Sequence, residues 1–447
     1  MKKAPSPLIS LIPIVVLVLL LFATIRTFGS DALSGGSQVS LLTTTAICIL
    51  IGMAFYKIPW KDYELAITNN IAGVATAIII LLIIGALSGI WMISGVVPTL
   101  IYYGMQIIHP SFFLASTCII CALISVMTGS SWTTIATIGI ALMGIGKAQG
   151  FEDGWIAGAI ISGAYFGDKI SPLSETTILA SSITDTPLFR HIRYMMITTV
   201  PSLVITLIIF TVAGFSHDAN NTQHIAEVAA ALNEKFHITP WLLIVPVVTG
   251  ILIARKVPSI VTLFLSTLLA AVFALIFQPD LVEEISGVAA SGFNSLFKGL
   301  MMTIYGETNL HTDNAVLTDL IATRGMSGML NTIWLILCAM CFGGAMTASG
   351  MVGSITSIFV RFMKKTVSVV SATVCSGLFR DIYAKKGYES CLLSRTTEDA
   401  VTVTSVLIPW NSCGMTQATI LSVPTLVYLP YCFFNIISPL MSITVAA

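Results

Sequence analysis

Val74-Ala75-Thr76-Ala77-Ile78-Ile79-Ile80-Leu81-Leu82-Ile83-Ile84-Gly85-Ala86-Leu87-Ser88-Gly89-Ile90-Trp91 lies within a longer stretch, Leu65 to Gly146, that has no Asp, Glu, Lys or Arg. A helix packed against a water-soluble core keeps a polar, usually charged, outer face. None can be drawn here. The rest of the chain agrees. Charged residues are 9% of 447 and hydrophobic residues 56%, with a mean hydropathy of +0.93. A soluble domain carries about 25% charge. The apolar runs do not alternate, which argues against a membrane β-barrel. At roughly 20 residues per crossing they allow about 10–12 helical segments. The fold class expected is an all-α polytopic membrane protein.

Outward from this stretch, basic residues mark one side of the membrane. They are Lys2 and Lys3, Lys57 and Lys61, Arg190 and Arg193, Arg255 and Lys256, and Arg361, Lys364 and Lys365. By the positive-inside rule that side is the cytoplasm. Lys2 and Lys3 before the Leu8–Thr24 run resemble a signal peptide. The run is long and no small-residue cleavage site clearly follows, so a retained first helix is expected. Residues 216–238 are polar, with His217, Asp218, Asn220, Asn221 and His224, and no Lys or Arg before Lys235. They read as an external loop, with a short surface helix at Ile225–Leu232. It divides the chain into halves, 1–215 and 239–447. A second polar zone, from Glu283 and Glu284 to Arg324, contains Lys298, Glu307, Asn309, His311, Asp313, Asn314 and Asp319. It is either a solvated connection or a loop with an interfacial helix lining an access path.

Each half contains one polar interruption. The first is Gly167-Asp168-Lys169-Ile170-Ser171-Pro172-Leu173-Ser174-Glu175-Thr176-Thr177. The second runs from Glu398-Asp399-Ala400-Val401-Thr402 through Ser405 to Ile408-Pro409-Trp410-Asn411. Asp168, Ser171 and Ser174 have the spacing of Asp399, Thr402 and Ser405. Gly89 to Val97 likewise resembles Gly344 to Val352, which supports an internal repeat. Pro172 and Pro409 cannot donate, so the carbonyls of Asp168 and Ser405 lose their helical partners. Gly163 and Gly167 ease a departure from helix. The outcome would be broken helices offering carboxylate, hydroxyl, amide and carbonyl oxygen. Such hard ligands suit Na⁺ or a proton. The other reading is a pair of solvated loop tips. Thr128-Gly129-Ser130-Ser131-Trp132-Thr133-Thr134 is similar in kind, either a broken helix or a packed polar seam.

Other chemistries find little support. Cys118-x-x-Cys121 and Cys338-x-x-Cys341 lie in apolar helices without a metal-ligand partner and read as core residues. There is no His-Glu-x-x-His and no Gly-x-Ser-x-Gly, so an enzyme is not expected. Nor is a cofactor. The zero net charge gives no sign of nucleic-acid binding. Paired half-motifs suit a gated site better than an open channel.

At these motifs the chain resembles the NhaC family of Na⁺/H⁺ antiporters, within the ion transporter superfamily. The resemblance rests on Gly167 to Thr177, Leu393-Ser394-Arg395-x-x-Glu398-Asp399 and Ile408-Pro409-Trp410-Asn411-x-Cys413-Gly414. Thr128 to Trp132 and Pro98 to Gly104 add to it. It implies inverted repeats, helical hairpins meeting near the membrane centre, and alternating access by an elevator-like movement. It implies functional importance for Asp168 and the Glu398-Asp399 region. A homodimer is expected only by analogy. After Thr177 this chain has Ile178-Leu179-Ala180-Ser181 where the family commonly has Asn-Leu-Ala-Pro, a departure that bears on ion specificity. The expected activity is exchange of Na⁺ for H⁺ across a bacterial cytoplasmic membrane. Asp168 and Asp399 would be the Na⁺ carboxylates, with Ser171, Ser174, Glu175, Thr176, Glu398, Thr402, Ser405 and Asn411 around them. The alternative is Na⁺- or H⁺-coupled exchange or symport of a small organic anion or amino acid, with Lys169, Arg395 or a half-helix N-terminus as its positive partner.

Overall fold

The computed structural model describes residues 5–28, 35–216, 222–288, 292–308, 310, 312, 318, 321–355, 388–409 and 411–446. Outside them lie several residues read above: Lys2, Lys3, His217, Asp218, Asn220, Asn221, Asn309, His311, Asp313, Asn314, Asp319, Arg361, Lys364, Lys365 and Trp410. The described chain is almost wholly helical, as the charge-free stretch requires. Its only strand-like pairing is an isolated bridge between Thr308 and Thr323.

The chain opens with α1 (Pro7–Phe28), α2 (Gly36–Tyr56), α3 (Trp60–Gly73), α4 (Ala75–Ile93) and α5 (Val96–Ile107). α6 (Phe113–Thr128) stops at Gly129 and resumes as α7 (Ser131–Thr134), a π-helical turn (Ile135–Gly139) and α8 (Ile140–Ala148). α9 (Asp153–Ile170) breaks at Ser171-Pro172-Leu173 and resumes as α10 (Glu175–Ile183). Then come α11 (Leu188–Ser216), α12 (Thr222–Lys235), α13 (Ile244–Ala254), α14 (Ser259–Phe277), α15 (Pro279–Ser286), α16 (Phe293–Tyr305) and α17 (Leu330–Ala348). α18 (Ser390–Thr397) passes through a second π-helical turn (Glu398–Thr402) and a 3₁₀ turn (Ser405–Leu407). After the break at Ile408-Pro409 come α19 (Ser412–Leu421), α20 (Thr425–Tyr428) and α21 (Phe433–Ala446).

Seven described helices are long and apolar enough to span a membrane, or nine if each of two bent pairs counts as one span. The count is of the described residues, without 356–387, and broken helices such as α9 with α10 leave pieces too short to cross alone. α11 shows how the bundle faces lipid. Val204, Ile208 and Val212 form an outward stripe, while Thr198, Ser202 and Thr206 are fully buried. The inward hydroxyls of Ser202 and Thr206 donate to the carbonyls one turn back, at 2.7 and 2.8 Å. With lipid outside, the polar stripe turns inward.

α6 packs along α9 because α9 offers bare backbone. A Cβ on Gly163 would stand 2.1 Å from the Cys118 carbonyl oxygen, and one on Gly167 2.4 Å from that of Ala122. These glycines therefore serve close packing within a continuous helix, rather than its breaking as expected. Gly89 likewise meets the Thr303 carbonyl and Gly85 that of Gly325, so α16 and the 3₁₀ turn Gly325–Met329 are seated against α4. The likeness of Gly89–Val97 to Gly344–Val352 has a local structural counterpart. α4 and α17 both end on Ser-Gly, with Gly95 at φ 82° and Gly350 at φ 70°. α12 is longer than the surface helix expected at Ile225–Leu232. Its Val228 and Leu232 are fully buried. The described cysteines are free thiols.

Candidate ion site

Three helix restarts meet around one carboxylate. Gly129, at φ 68°, ends α6, and Ser130 caps the next helix by accepting from the Thr133 amide. Thr128–Thr134 is thus a broken helix rather than a polar seam. Ser174 caps α10 in the same way, accepting from Thr177 N, and Asn411 caps α19, accepting from Cys413 N at 2.9 Å. Small oxygen-bearing residues stand at all three positions because they accept from otherwise unpaired amides of the first turn.

Asp168, on the last turn of α9, points between these restarts and is 8% exposed. Its Oδ2 accepts from the amide and hydroxyl of Ser131, at 3.2 and 2.7 Å. Its Oδ1 accepts from the Ser174 hydroxyl at 2.6 Å, and Thr176 lies 2.9 Å beyond Ser174. The Cys413 thiol, at the start of α19, lies beside Trp132, Tyr165 and Ser405 and within electrostatic reach of Asp168. A helix N-terminus favours negative charge. The arrangement can hold a carboxylate, and its hydroxyls can turn their lone pairs toward a cation.

Asp399 has different company. Its Oδ1 accepts from the Lys169 ammonium and, at 2.9 Å, from Ser438. Its Oδ2 accepts from Thr198 at 3.0 Å and lies 3.9 Å from Arg395 Nε. Lys169 also donates to Ser438 at 2.8 Å, and its ammonium lies 5.7 Å from the centre of the Phe434 ring. Arg395 stacks on Tyr194 at 4.9 Å. All these charged groups are 1% exposed or less. Asp399 thus also has two hydroxyl partners, but unlike Asp168 it is engaged by a protein cation as well. Glu398 is fully buried between the two centres, in electrostatic reach of Asp168, Lys169 and Asp399. Among the described residues neither of its oxygens finds a hydrogen bond of regular geometry, although the Thr402 hydroxyl is close by.

Several expected ligands have other work. The Ser171 hydroxyl donates to Val126 O at 2.8 Å and accepts from Leu173 N, so it fastens the α9 break to α6. The Asp168 carbonyl freed by Pro172 is taken by the Thr177 hydroxyl at 3.3 Å and by Ser171 N. The Ser405 carbonyl accepts from Ile408 N, and the Ser405 hydroxyl donates to Thr402 O at 2.7 Å. Both freed carbonyls thus accept hydrogen bonds within the break itself. Glu175 is exposed on the first turn of α10. Ile178, at the family departure, is 44% exposed. Ser131, Thr198 and Ser438 were not singled out. Ser131 stood within a recognised polar stretch, but Thr198 and Ser438 are hydroxyls in long apolar helices, with no local signal.

The Na⁺/H⁺ antiporter family model matches residues 163–380 and 376–447, which include both acidic centres. The chain belongs to this family. It is 33% identical to the Na⁺/H⁺ antiporter NhaC of Bacillus subtilis, over 90% of this chain and 91% of that one. It is 35% identical to NhaC of Alkalihalophilus pseudofirmus, over 89% and 88% of the two chains. It is also 35% identical to the malate-2H⁺/Na⁺-lactate antiporter of Bacillus subtilis, over 90% and 87%. Membership agrees with the NhaC-like motifs and with the multi-helical membrane fold.

Proposed function

We propose that this protein exchanges Na⁺ for H⁺ across the bacterial cytoplasmic membrane by alternating access, with Asp168 as the shared site. The observation that carries this reading is the buried Asp168 carboxylate, surrounded by the hydroxyls of Ser131 and Ser174 at two helix restarts. Burial disfavours a bare carboxylate. A proton removes its charge, and a small cation compensates it. The two compete for one anion. If the unloaded, charged site does not cross, each crossing carries one or the other, and the flows are coupled. Ser131, Ser174 and Thr176 would contribute oxygen to the cation. Glu398 is a second acid near enough to feel the exchange. Asp399 acts here as the partner of Lys169 rather than as a Na⁺ ligand, with Thr402, Ser405 and Asn411 shaping the break beside it.

The test is reconstitution in liposomes containing a pH indicator, with imposed Na⁺, Li⁺ or K⁺ gradients. Na⁺-driven proton movement is expected in the parent protein and not in Asp168→Asn. Full activity in the folded variant would remove Asp168 from the mechanism.

A second reading, coupled exchange of an organic anion, is favoured by the malate-2H⁺/Na⁺-lactate relative. It is weakened by Lys169, whose ammonium is already held by Asp399 and Ser438. Arg395, 3.9 Å from Asp399 and without a regular hydrogen bond at Nε among the described residues, and the helix N-termini remain as candidates. Counterflow accelerated by a dicarboxylate or hydroxy acid would establish it.

A further inference from the structure

Two buried polar side chains have no role in the account above: Tyr165, within electrostatic reach of Asp168, and Gln417 on α19. The Tyr165 hydroxyl is in a side chain 2% exposed and has the Cys413 thiol as its one polar neighbour among the described residues, without a hydrogen bond of regular geometry. Gln417 is fully buried, and both its amide oxygen and its amide nitrogen are equally without one. Buried amides and hydroxyls are almost always bonded, because leaving water without a new partner costs free energy. Two such groups on helices that meet through Cys413 and Tyr165 call for an explanation.

Helical geometry aims both at the same place. Tyr165 is three positions before Asp168 on α9, so the two share a face. Gln417 is four positions after Cys413 on α19, so these two share a face as well. The Cys413 thiol lies beside the Tyr165 hydroxyl, and Asp168 is in electrostatic reach of both. The opposite side of α19 is accounted for, since Thr419 bonds Thr332 of α17 at 2.7 Å. Gln417 stands about 200° around the helix from Thr419. It therefore faces away from α17.

We propose that the Tyr165 hydroxyl and the Gln417 amide oxygen complete the ligand shell of the transported cation on the α19 side of Asp168. Both are neutral, hard oxygen donors, the class that suits a small monovalent cation without adding charge. The inference rests on the Na⁺/H⁺ reading. It gives the second half of the chain a direct part in binding, through α19 rather than through Asp399.

The experiment compares the parent protein, Gln417→Leu and Tyr165→Phe in the liposome assay, and measures the Na⁺-dependent rise in melting temperature of each purified protein. Each substitution removes an oxygen and retains an apolar body. Loss of one ligand to a charged partner should raise the KM for Na⁺ about tenfold. The kcat should change little, and Na⁺ should stabilise the variants less. If Gln417 is only an orphan in the core, Gln417→Leu should raise the melting temperature at an unchanged KM. An unchanged KM in both variants overturns the proposal. Should Gln417→Leu fail to insert, Tyr165→Phe decides, since it removes a single oxygen. A parent protein that moves no protons with Na⁺ would instead overturn the exchange reading itself.

Discussion

Lys169 and Asp399 lie 230 positions apart in the chain and meet in a buried ion pair. Neighbouring Asp168 looks much the same in sequence, yet it is surrounded by hydroxyls rather than by a cation. The difference is a matter of side-chain direction at the end of α9. Breaking one partner of a buried ion pair leaves an uncompensated charge, at about 3–5 kcal/mol, whereas replacing both with apolar groups can be neutral. Asp399→Asn or Lys169→Met alone should therefore lower the melting temperature in detergent strongly. The double variant Lys169→Met, Asp399→Leu should recover much of it. If the single variants are as stable as the parent, the pair is not a structural tie. At this scale the sequence was only partly legible. Asp168 and Ser174 stood out because proline and hydroxyls crowd an otherwise apolar run. The partner of Lys169 could not be read, since nothing local links α9 with α18, and Ser438 and Thr198 sit in ordinary apolar helices.

Among the elements, the contact of α6 with α9 governs where Asp168 stands. Cα hydrogens at Gly163 and Gly167 touch backbone oxygen of α6, and the first added carbon would collide with it. Overpacking of this kind costs about 1–3 kcal/mol. Gly163→Ala and Gly167→Ala should lower thermal stability by that order and reduce transport with every ion ligand intact. A thermal melt and the liposome assay, read together, check both halves of the claim. An unshifted melt with full transport would show that the contact yields easily. The broken helices themselves were legible, because Pro172, Pro409 and the capping residues Ser130, Ser174 and Asn411 each have a local physical meaning. What the glycines did was not. A glycine near a proline reads as a hinge until the facing helix is seen, and the facing helix is a tertiary fact. The two π-helical turns, at Ile135–Gly139 and Glu398–Thr402, also leave no mark in periodicity, since one extra residue in a turn is lost in an apolar run.

For the whole molecule, the basic residues predict orientation. Lys256 lies exposed in the turn between α13 and α14, and Glu227 is exposed on α12. Cysteines placed at the two positions should react with an impermeant maleimide from opposite sides of the membrane, Glu227→Cys from outside and Lys256→Cys only after permeabilisation. Labelling of both from the same side would overturn the assignment of the polar segment to the exterior. The ion pair between the halves also has an electrical meaning. An ammonium and a carboxylate that travel together are a dipole without net charge, and the membrane potential does no work on the translation of such a pair. A lone charge crossing the full field exchanges about 2.3 kcal/mol with it per 100 mV. With Lys169 and Asp399 cancelled against each other, the voltage dependence of transport falls to Asp168, Glu398, Arg395 and whatever cargo they carry. The pair would then be the part of the carrier that the cell's own battery cannot feel.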